Sequence, residues 1–531
     1  MSGTLTQAPT RSTSHGAASV TTTYGDHHIH IPHAPRGTTP NLLRAMAAAI
    51  GVMSLIAAVC VSVFASDARS KIAGVGGTDA PSVKATENFV FQVQDMDAQL
   101  LNALLAGGDT KVKVLRPDSV QQYNLDRSAA DWDLEAATAA LAGDQDALNR
   151  LHDLADQFGQ YQAQAARTLA DDQRVGGTAA GRVPDSVVAS YMFGHDILFG
   201  SDDRSGLVQA AENMEQTSAG AIDDSASAAT DSLDTVTAAL VLFGLMLLAG
   251  LGALQVFVFR HFHRTLNPAL VAATLAALVF TIGGAAATVG AGSDFHKAKS
   301  DAFDSVLTLS QTKALGSGAN ADESRWLLAH DHPDLQARFE ASYVRGSLQL
   351  ASAGNATTPL EYDSTIAGVN GRLSAIRARA ESRDDRPTGQ DLVGSDLSDT
   401  GLTTDSAFGR EFNNITFDGE ADRAFDAFVA YGDYIRDDAT LRRMSLSSDQ
   451  DLLEAVDFDT DAKTPSTSDQ AFTYYNAALD KLIQLNQDQF DSAMPAARDG
   501  IGTWTWLPYV LALLIVGLTV LGVRPRLSEY R

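Results

Sequence analysis

Residues 236–292 decide the fold: they read VTAALVLFGLMLLAGLGALQVFVF, then RHFHRTLN, then PALVAATLAALVFTIGGAAATVGAG. The two apolar runs, residues 236–259 and 268–292, contain no Asp, Glu, Lys or Arg. Each is long enough for a helix to cross the roughly 30 Å of hydrocarbon in a bilayer, which takes about 20 residues. The sequence therefore predicts two transmembrane helices joined by a tight hairpin at residues 260–267.

Two more uncharged apolar runs, residues 45–65 and 504–523, lie further out along the chain. Between the four predicted spans lie two long polar blocks, residues 66–234 and 293–502. The order of span, polar block and span thus occurs twice. This repeated order predicts an internal duplication.

Both polar blocks carry apolar residues at helical spacing. Leu151, Leu154, Phe158 and Tyr161 recur at steps of three and four, which is typical of the buried face of an amphipathic helix. Neither block shows the sustained alternation of a β-strand. The predicted fold class is therefore all-α, with four transmembrane helices and two extracytoplasmic helical-bundle domains.

Finer features of the polar blocks also predict structure. Residues 214–234 lack strong helix breakers after Gly220 and predict a stalk helix that enters the second span. Asn320 and Glu323 have the spacing of a capping box and predict a helix start. Residues 384–417 are rich in Gly, Asp, Ser and Thr and predict a surface insertion.

Charge distribution predicts the orientation in the membrane. The N-terminal segment before the first span, the hairpin and residues 524–531 hold eight of the 39 basic residues but only two of the 65 acidic ones. Because Lys and Arg stay on the cytoplasmic side, both termini and the hairpin are predicted to be cytoplasmic in a multi-pass protein of the cell membrane. Residues 1–40 are poor in large apolar residues and are predicted to form a disordered cytosolic tail.

The acidic balance limits the possible partners. The formal net charge is −26, and nearly all acidic residues fall in the two polar blocks. Nucleic acids and anionic lipid headgroups would be repelled. Cys60 is the one cysteine and lies within the first span, so the blocks have no disulfide. Val59 before it disfavours a lipoprotein processing site.

The sequence contains no recognisable catalytic motif, so the protein is predicted not to be an enzyme and to hold no cofactor or metal. His330 and His332 near Asp331 predict a polar turn rather than a metal site. The His-rich run at residues 27–33 is a weaker alternative for metal binding. Ionisable residues are absent from the spans, which disfavours a transporter.

Two small groups of residues are candidates for functional roles. The hairpin residues predicted to contact a cytosolic partner and relay a signal are Arg260, His261, His263 and Arg264. The aromatic residues predicted to anchor the fourth span at the lipid interface are Trp504, Trp506 and Tyr509.

The layout from about residue 36 onward, and the run ANADESRWLL at residues 319–328, resemble the GlnX-like membrane proteins of the actinobacterial amino-acid-sensing pathway. The resemblance implies two partners besides the lipid bilayer. One is an extracytoplasmic solute-binding lipoprotein for glutamate or aspartate, and the other is the cytosolic Ser/Thr protein kinase G. The Gly- and Asp-rich insertion and the His-rich tail have no match in that pattern.

These features together predict a transmembrane signal coupler that relays the state of an extracytoplasmic solute-binding protein to a cytosolic Ser/Thr kinase. Two alternatives stay open at this stage. The first is a direct small-molecule sensor whose helical-bundle ectodomain binds the ligand. The second is a structural protein of the cell envelope.

Overall fold

The computed structural model describes residues 38–141, 143–201, 204–262, 267–381 and 400–528, and these residues are almost entirely helical. Within them the only extended pairing is an isolated bridge between Ser201 and Arg204. Four of the helices are long and apolar enough to cross a membrane. The predicted all-α class with four transmembrane helices is confirmed.

The helices follow one another in two successive halves of the chain. In the first half they are α1 (Thr38–Gly74), α2 (Ala80–Ala106), α3 (Arg116–Ala140), α4 (Gln145–Val175), α5 (Asp185–Phe199) and α6 (Leu207–Phe262). In the second half they are α7 (Pro268–Leu278), α8 (Gly284–His296), α9 (Asp304–Leu328), α10 (Pro333–Leu350), α11 (Pro359–Glu381), α12 (Ala407–Asn413), α13 (Glu420–Leu441), α14 (Asp449–Thr460), α15 (Ser468–Gly502) and α16 (Leu507–Ser528). Short π-helical turns join α1 to α2, α7 to α8 and α8 to α9, so the chain stays helical across each junction.

The candidate spans continue without a break into long soluble helices. The helical stretches are Pro40–Ala106, Leu207–His261, Pro268–Leu328 and Ser468–Leu527, each of 55 to 67 residues. The predicted stalk at residues 214–234 lies within α6. Four continuous helical stretches therefore join the candidate membrane region to the soluble region.

Helix boundaries follow local chemistry in several places. Gly107, Gly176 and Gly200 end α2, α4 and α5 with positive φ angles, which glycine adopts at little cost. The side chain of Asp144 caps α4 by accepting hydrogen bonds from the next turn. Pro184 directly precedes α5.

Two sequence-based predictions about the second polar block were wrong. Asn320 does not start a helix, because it lies deep within α9, whose residues are buried on almost every side. Residues 400–417, which belong to the predicted surface insertion, form part of the core through Phe408 and Phe412. The rest of that insertion, residues 384–399, lies outside the described residues, as does the predicted disordered tail up to residue 37.

The two polar blocks share a hydrophobic core. One cluster joins α2, α4, α5 and the start of α6 to Trp326, Leu327 and Leu328 of α9. A second cluster, rich in tyrosine and phenylalanine, lies among α10 to α13 and α15. A third runs through the candidate spans. Because α9 contributes to the core of the first block, the two halves are bound together through it.

Candidate functional site

A cavity of about 470 Å³ opens between the two halves of the chain. We call it the inter-half cavity. The first half contributes His195 and Phe199 from α5 and Glu212 from α6. The second half contributes Asp322 and Arg325 from α9, with Arg338, Phe339, Arg345 and Gly346 from α10. Its volume falls in the range of roughly 300–1,000 Å³ that is usual for small-molecule sites.

Arg325 forms the floor of the inter-half cavity, and only 2% of its surface is exposed. Its Nη2 donates to Asp97 Oδ2 at 2.6 Å, and its Nε donates to the Tyr191 hydroxyl at 2.9 Å. Its Nη1 donates to Asp322. Burial alone would lower the pKa of the guanidinium, but Tyr191, Asp322 and Asp97 raise it well above its ordinary value. Arg325 is therefore charged, and each of its three guanidinium nitrogens has a hydrogen-bond partner.

Asp97 lies at the centre of this network and is completely buried. Besides Arg325, it accepts hydrogen bonds from the hydroxyls of Tyr191, at 2.8 Å, and Tyr161, at 3.1 Å. A buried carboxylate is tolerated only when it is paired and hydrogen-bonded in this way. The network ties α2, α4 and α5 of the first half to α9 of the second.

His195 forms one wall of the inter-half cavity and is 7% exposed. Its ring packs against Phe199 at 4.9 Å and Phe339 at 5.6 Å between centroids. Its Nδ1 has no hydrogen-bond partner, and the nearest carboxylate, on Asp196, is 3.8 Å away. Burial and the charges of Arg325 and Arg338 lower the pKa of His195 to about 3. The imidazole is therefore neutral at physiological pH.

The mouth of the inter-half cavity carries charged side chains whose pairing is incomplete. Arg338 and Arg345 are exposed, and neither forms a hydrogen bond or ion pair with another described residue. Glu212 lies on the wall formed by α6, where burial and the neighbouring Glu215 raise the pKa of its carboxyl. Gly346 also borders the cavity, and a Cβ atom added to it would meet open space.

A second buried network contacts α9 beside the first. Arg442 pairs with Asp438 at 2.8 Å, and its guanidinium lies over the rings of Tyr343 and Trp326. Glu323 is fully buried nearby, and burial together with Asp438 and Asp459 raises the pKa of its carboxyl well above its ordinary value. Successive residues of one turn of α9 thus enter different polar networks.

Two helices connect the inter-half cavity to the hairpin. α6 begins at the cavity wall and ends at Arg260 and His261, and the 1.5 Å rise per residue makes the path from Glu212 to Arg260 about 70 Å long. On the other side of the hairpin, the helical stretch Pro268–Leu328 ends at the cavity floor with Asp322 and Arg325. Both helices that enter the hairpin therefore also border the cavity.

The predicted hairpin residues lie far from the inter-half cavity. Arg260 and His261 are exposed at the end of α6, where the His261 ring stacks on Phe257 at 4.2 Å. His263 and Arg264 lie outside the described residues. The predicted role of these four residues in contacting a partner stays a prediction.

The three predicted aromatic anchors differ in exposure. Trp504 is 4% exposed and packs edge-on against Phe280 of the third span, with ring centroids 6.2 Å apart. Trp506 and Tyr509 are 56% and 42% exposed. Their predicted contact with the lipid interface stays a prediction.

His330 and His332 lie in the turn between α9 and α10, as the sequence predicts. Within the described residues, no cluster of three or more His, Cys, Asp or Glu side chains is arranged to hold a metal ion. The inter-half cavity was not predicted from the sequence. Its one visible signal was the polar run at residues 320–325 in a segment of helical periodicity.

Residues 71–224 match the family model described as an actinobacterial sensor domain. The match extends from the end of α1 into α6 and so includes Asp97, Tyr191, His195 and Glu212. No curated protein and no solved structure matches the chain. The match and the four apolar helices support an actinobacterial sensor-type protein with several candidate membrane spans.

Proposed function

We propose that this protein is a non-enzymatic transmembrane coupler, which senses a state outside the cell and passes it to a cytosolic partner. The observation that carries the proposal is the continuity of the two helices on either side of the hairpin. Both run from the inter-half cavity, through a candidate span, to residues 260–267. A shift or rotation of either helix at the cavity would move the hairpin as well.

The helical stretch Pro268–Leu328 contains two irregular turns, at which the helix segments on either side can pack in two arrangements. Val279–Gly283 is a π-helical turn within the third candidate span, and Lys297–Phe303 is another, just outside it. Such turns occur frequently at functional sites. Signalling requires a partner with different affinities for the two arrangements. We propose that the partner outside is a solute-binding lipoprotein and that the partner inside is a Ser/Thr kinase.

The orientation that the proposal requires places both termini and the hairpin in the cytoplasm. The coupling can be tested in cells by replacing residues 260–264 with a Gly-Ser segment of equal length. Phosphorylation of the kinase substrates is then measured with and without the external amino acid. We expect the response to the amino acid to be lost while the protein level in the membrane is unchanged. Arg44→Ala with Arg524→Ala is the matched control, since it removes two basic residues from the same predicted side. An unchanged response in the hairpin variant would reject this route.

A second candidate function is a direct sensor, in which the soluble region binds a small molecule itself. The inter-half cavity favours it, because a partner protein does not require an internal space of this size. Calorimetry with small molecules and a pull-down, both on the full-length protein, separate the two candidates. Binding of a small molecule without any partner favours the direct sensor, and capture of a solute-binding lipoprotein without a small molecule favours the coupler.

A further inference from the structure

We propose that the inter-half cavity binds a small organic dianion, with its two carboxylate or phosphate groups held by Arg338 and Arg345. This proposal depends on the inter-half cavity and not on the coupling function. The coupling function could therefore fail its own test while this site is correct, and the reverse also holds.

The two arginines are unusual within this acidic chain. The sequence has 65 acidic residues against 39 basic ones, so most basic side chains can find a partner. Arg338 and Arg345 border the same cavity and form no ion pair with any described residue. Arginine suits carboxylate and phosphate groups because its planar guanidinium donates two parallel hydrogen bonds.

Their spacing indicates a ligand with two anionic groups. Arg338 and Arg345 are seven residues apart on α10, which places them on the same face of the helix, two turns and about 10 Å apart along its axis. A single small anion would meet one guanidinium closely and the other poorly. A chain of four to six heavy atoms with an anionic group at each end would meet both.

The remaining charges around the inter-half cavity do not favour a cation. Asp322 is already paired with Arg325. Each of the three guanidinium nitrogens of Arg325 already donates a hydrogen bond, to Asp97, Asp322 or Tyr191. Glu212 is the one unpaired acid on the wall, against two unpaired arginines at the mouth.

The walls suit the carbon skeleton of such a ligand. Phe199, Phe339 and Leu315 give the cavity an apolar side. The neutral ring of His195 packs beside Phe199 and Phe339 and extends this side of the cavity.

The test is calorimetric titration of the full-length protein in detergent with succinate, glutarate and glycerol 3-phosphate, and with putrescine as a dication of similar length. We expect at least one dianion to bind and putrescine not to bind. The Arg338→Ala/Arg345→Ala variant should weaken binding at least tenfold. Arg150→Ala/Arg167→Ala removes the same charge from exposed positions on α4 and should change the affinity less than twofold.

A second variant blocks the space without changing charge. Gly346→Leu should abolish binding, because its side chain would occupy the open space at the mouth. Gly371→Leu is the control, since Gly371 is also a helical glycine with open space at its Cβ position but does not border the cavity. Binding of carboxylates or of phosphates alone would identify the ligand's anionic group. The proposal is overturned if no dianion binds at millimolar concentration, or if binding is unchanged in either the arginine variant or the Gly346→Leu variant.

Discussion

The two halves of the chain meet in two regions, and the contacts differ in kind. In the soluble region the contact is a buried network of charges, in which Arg325 of the second half pairs with Asp97 of the first. In the candidate spans the contact is apolar and includes close approaches at small residues. A Cβ atom added to Gly244 of α6 would overlap the side chain of Thr281, so the second and third spans approach each other closely there.

The difference follows from the surrounding solvent. In water, burial of apolar surface already drives association, so the soluble contact can include charges that fix one arrangement of the halves. In lipid there is no such driving force, and helices associate through close packing of small residues and a few hydrogen bonds. The soluble contact should therefore depend on single charged residues and the membrane contact on shape.

The largest expected effect is that of Arg325→Ala. It leaves Asp97 and Asp322 buried without their cation, and breaking a buried pair in this way costs about 3–5 kcal/mol. Urea unfolding of the full-length protein in detergent, followed by tryptophan fluorescence, measures the loss. Arg127→Ala is the control, because Arg127 forms an exposed pair with Asp131 that should be worth less than about 1 kcal/mol. Equal losses in the two variants would contradict a special role for the charged contact.

The next effect is that of Gly244→Leu in the second span. Inserting a large side chain into a packed contact costs about 1–3 kcal/mol. Gly252→Leu is the matched control, because it lies in the same span and its Cβ position meets nothing. The thermal midpoint in detergent should fall for Gly244→Leu and stay unchanged for Gly252→Leu. Similar midpoints would mean that the second and third spans are not held by close packing.

A further effect concerns the pH dependence of stability in the soluble region. Burial and the nearby carboxyl of Asp95 raise the pKa of Asp126 to about 8, from an ordinary value of 3.8. Because the folded-state pKa is raised, the stabilisation is fully present below pH 4 and is lost as pH rises towards 8. Asp126→Asn should flatten this decline, and urea midpoints at several pH values would measure it. Asp131→Asn, at an exposed position on the same helix, should leave the slope as it is.

The contrast between the regions also explains what the sequence could predict. The spans and the stalk in α6 depend on composition and local signals, and both were predicted from the sequence. The chain also breaks after α5, where Gly200 has a φ of +88°, and this break was not predicted.

The inter-half cavity depends on contacts that no local pattern contains. Arg325 and Asp97 are 228 residues apart, and only the folded chain brings them together. The polar composition of residues 400–417 predicted a surface insertion, although Phe408 and Phe412 are buried among other aromatic rings. The unpaired state of Arg338 and Arg345 is likewise a property of the fold, since Asp334 and Glu340 lie close to them in sequence.

The smallest expected effect is that of Gln255→Leu in the second span. Gln255 Nε2 donates to Thr274 Oγ1 at 2.7 Å and to the Leu270 carbonyl at 3.2 Å, which joins the second and third spans. Hydrogen bonds between helices in membranes are worth about 0.6 kcal/mol on average, because the separated helices find other partners. A double-mutant cycle with Thr274→Val, read from unfolding in detergent, would isolate this coupling. A coupling as large as the loss from Arg325→Ala would remove the distinction between the charged soluble contact and the close-packed membrane contact.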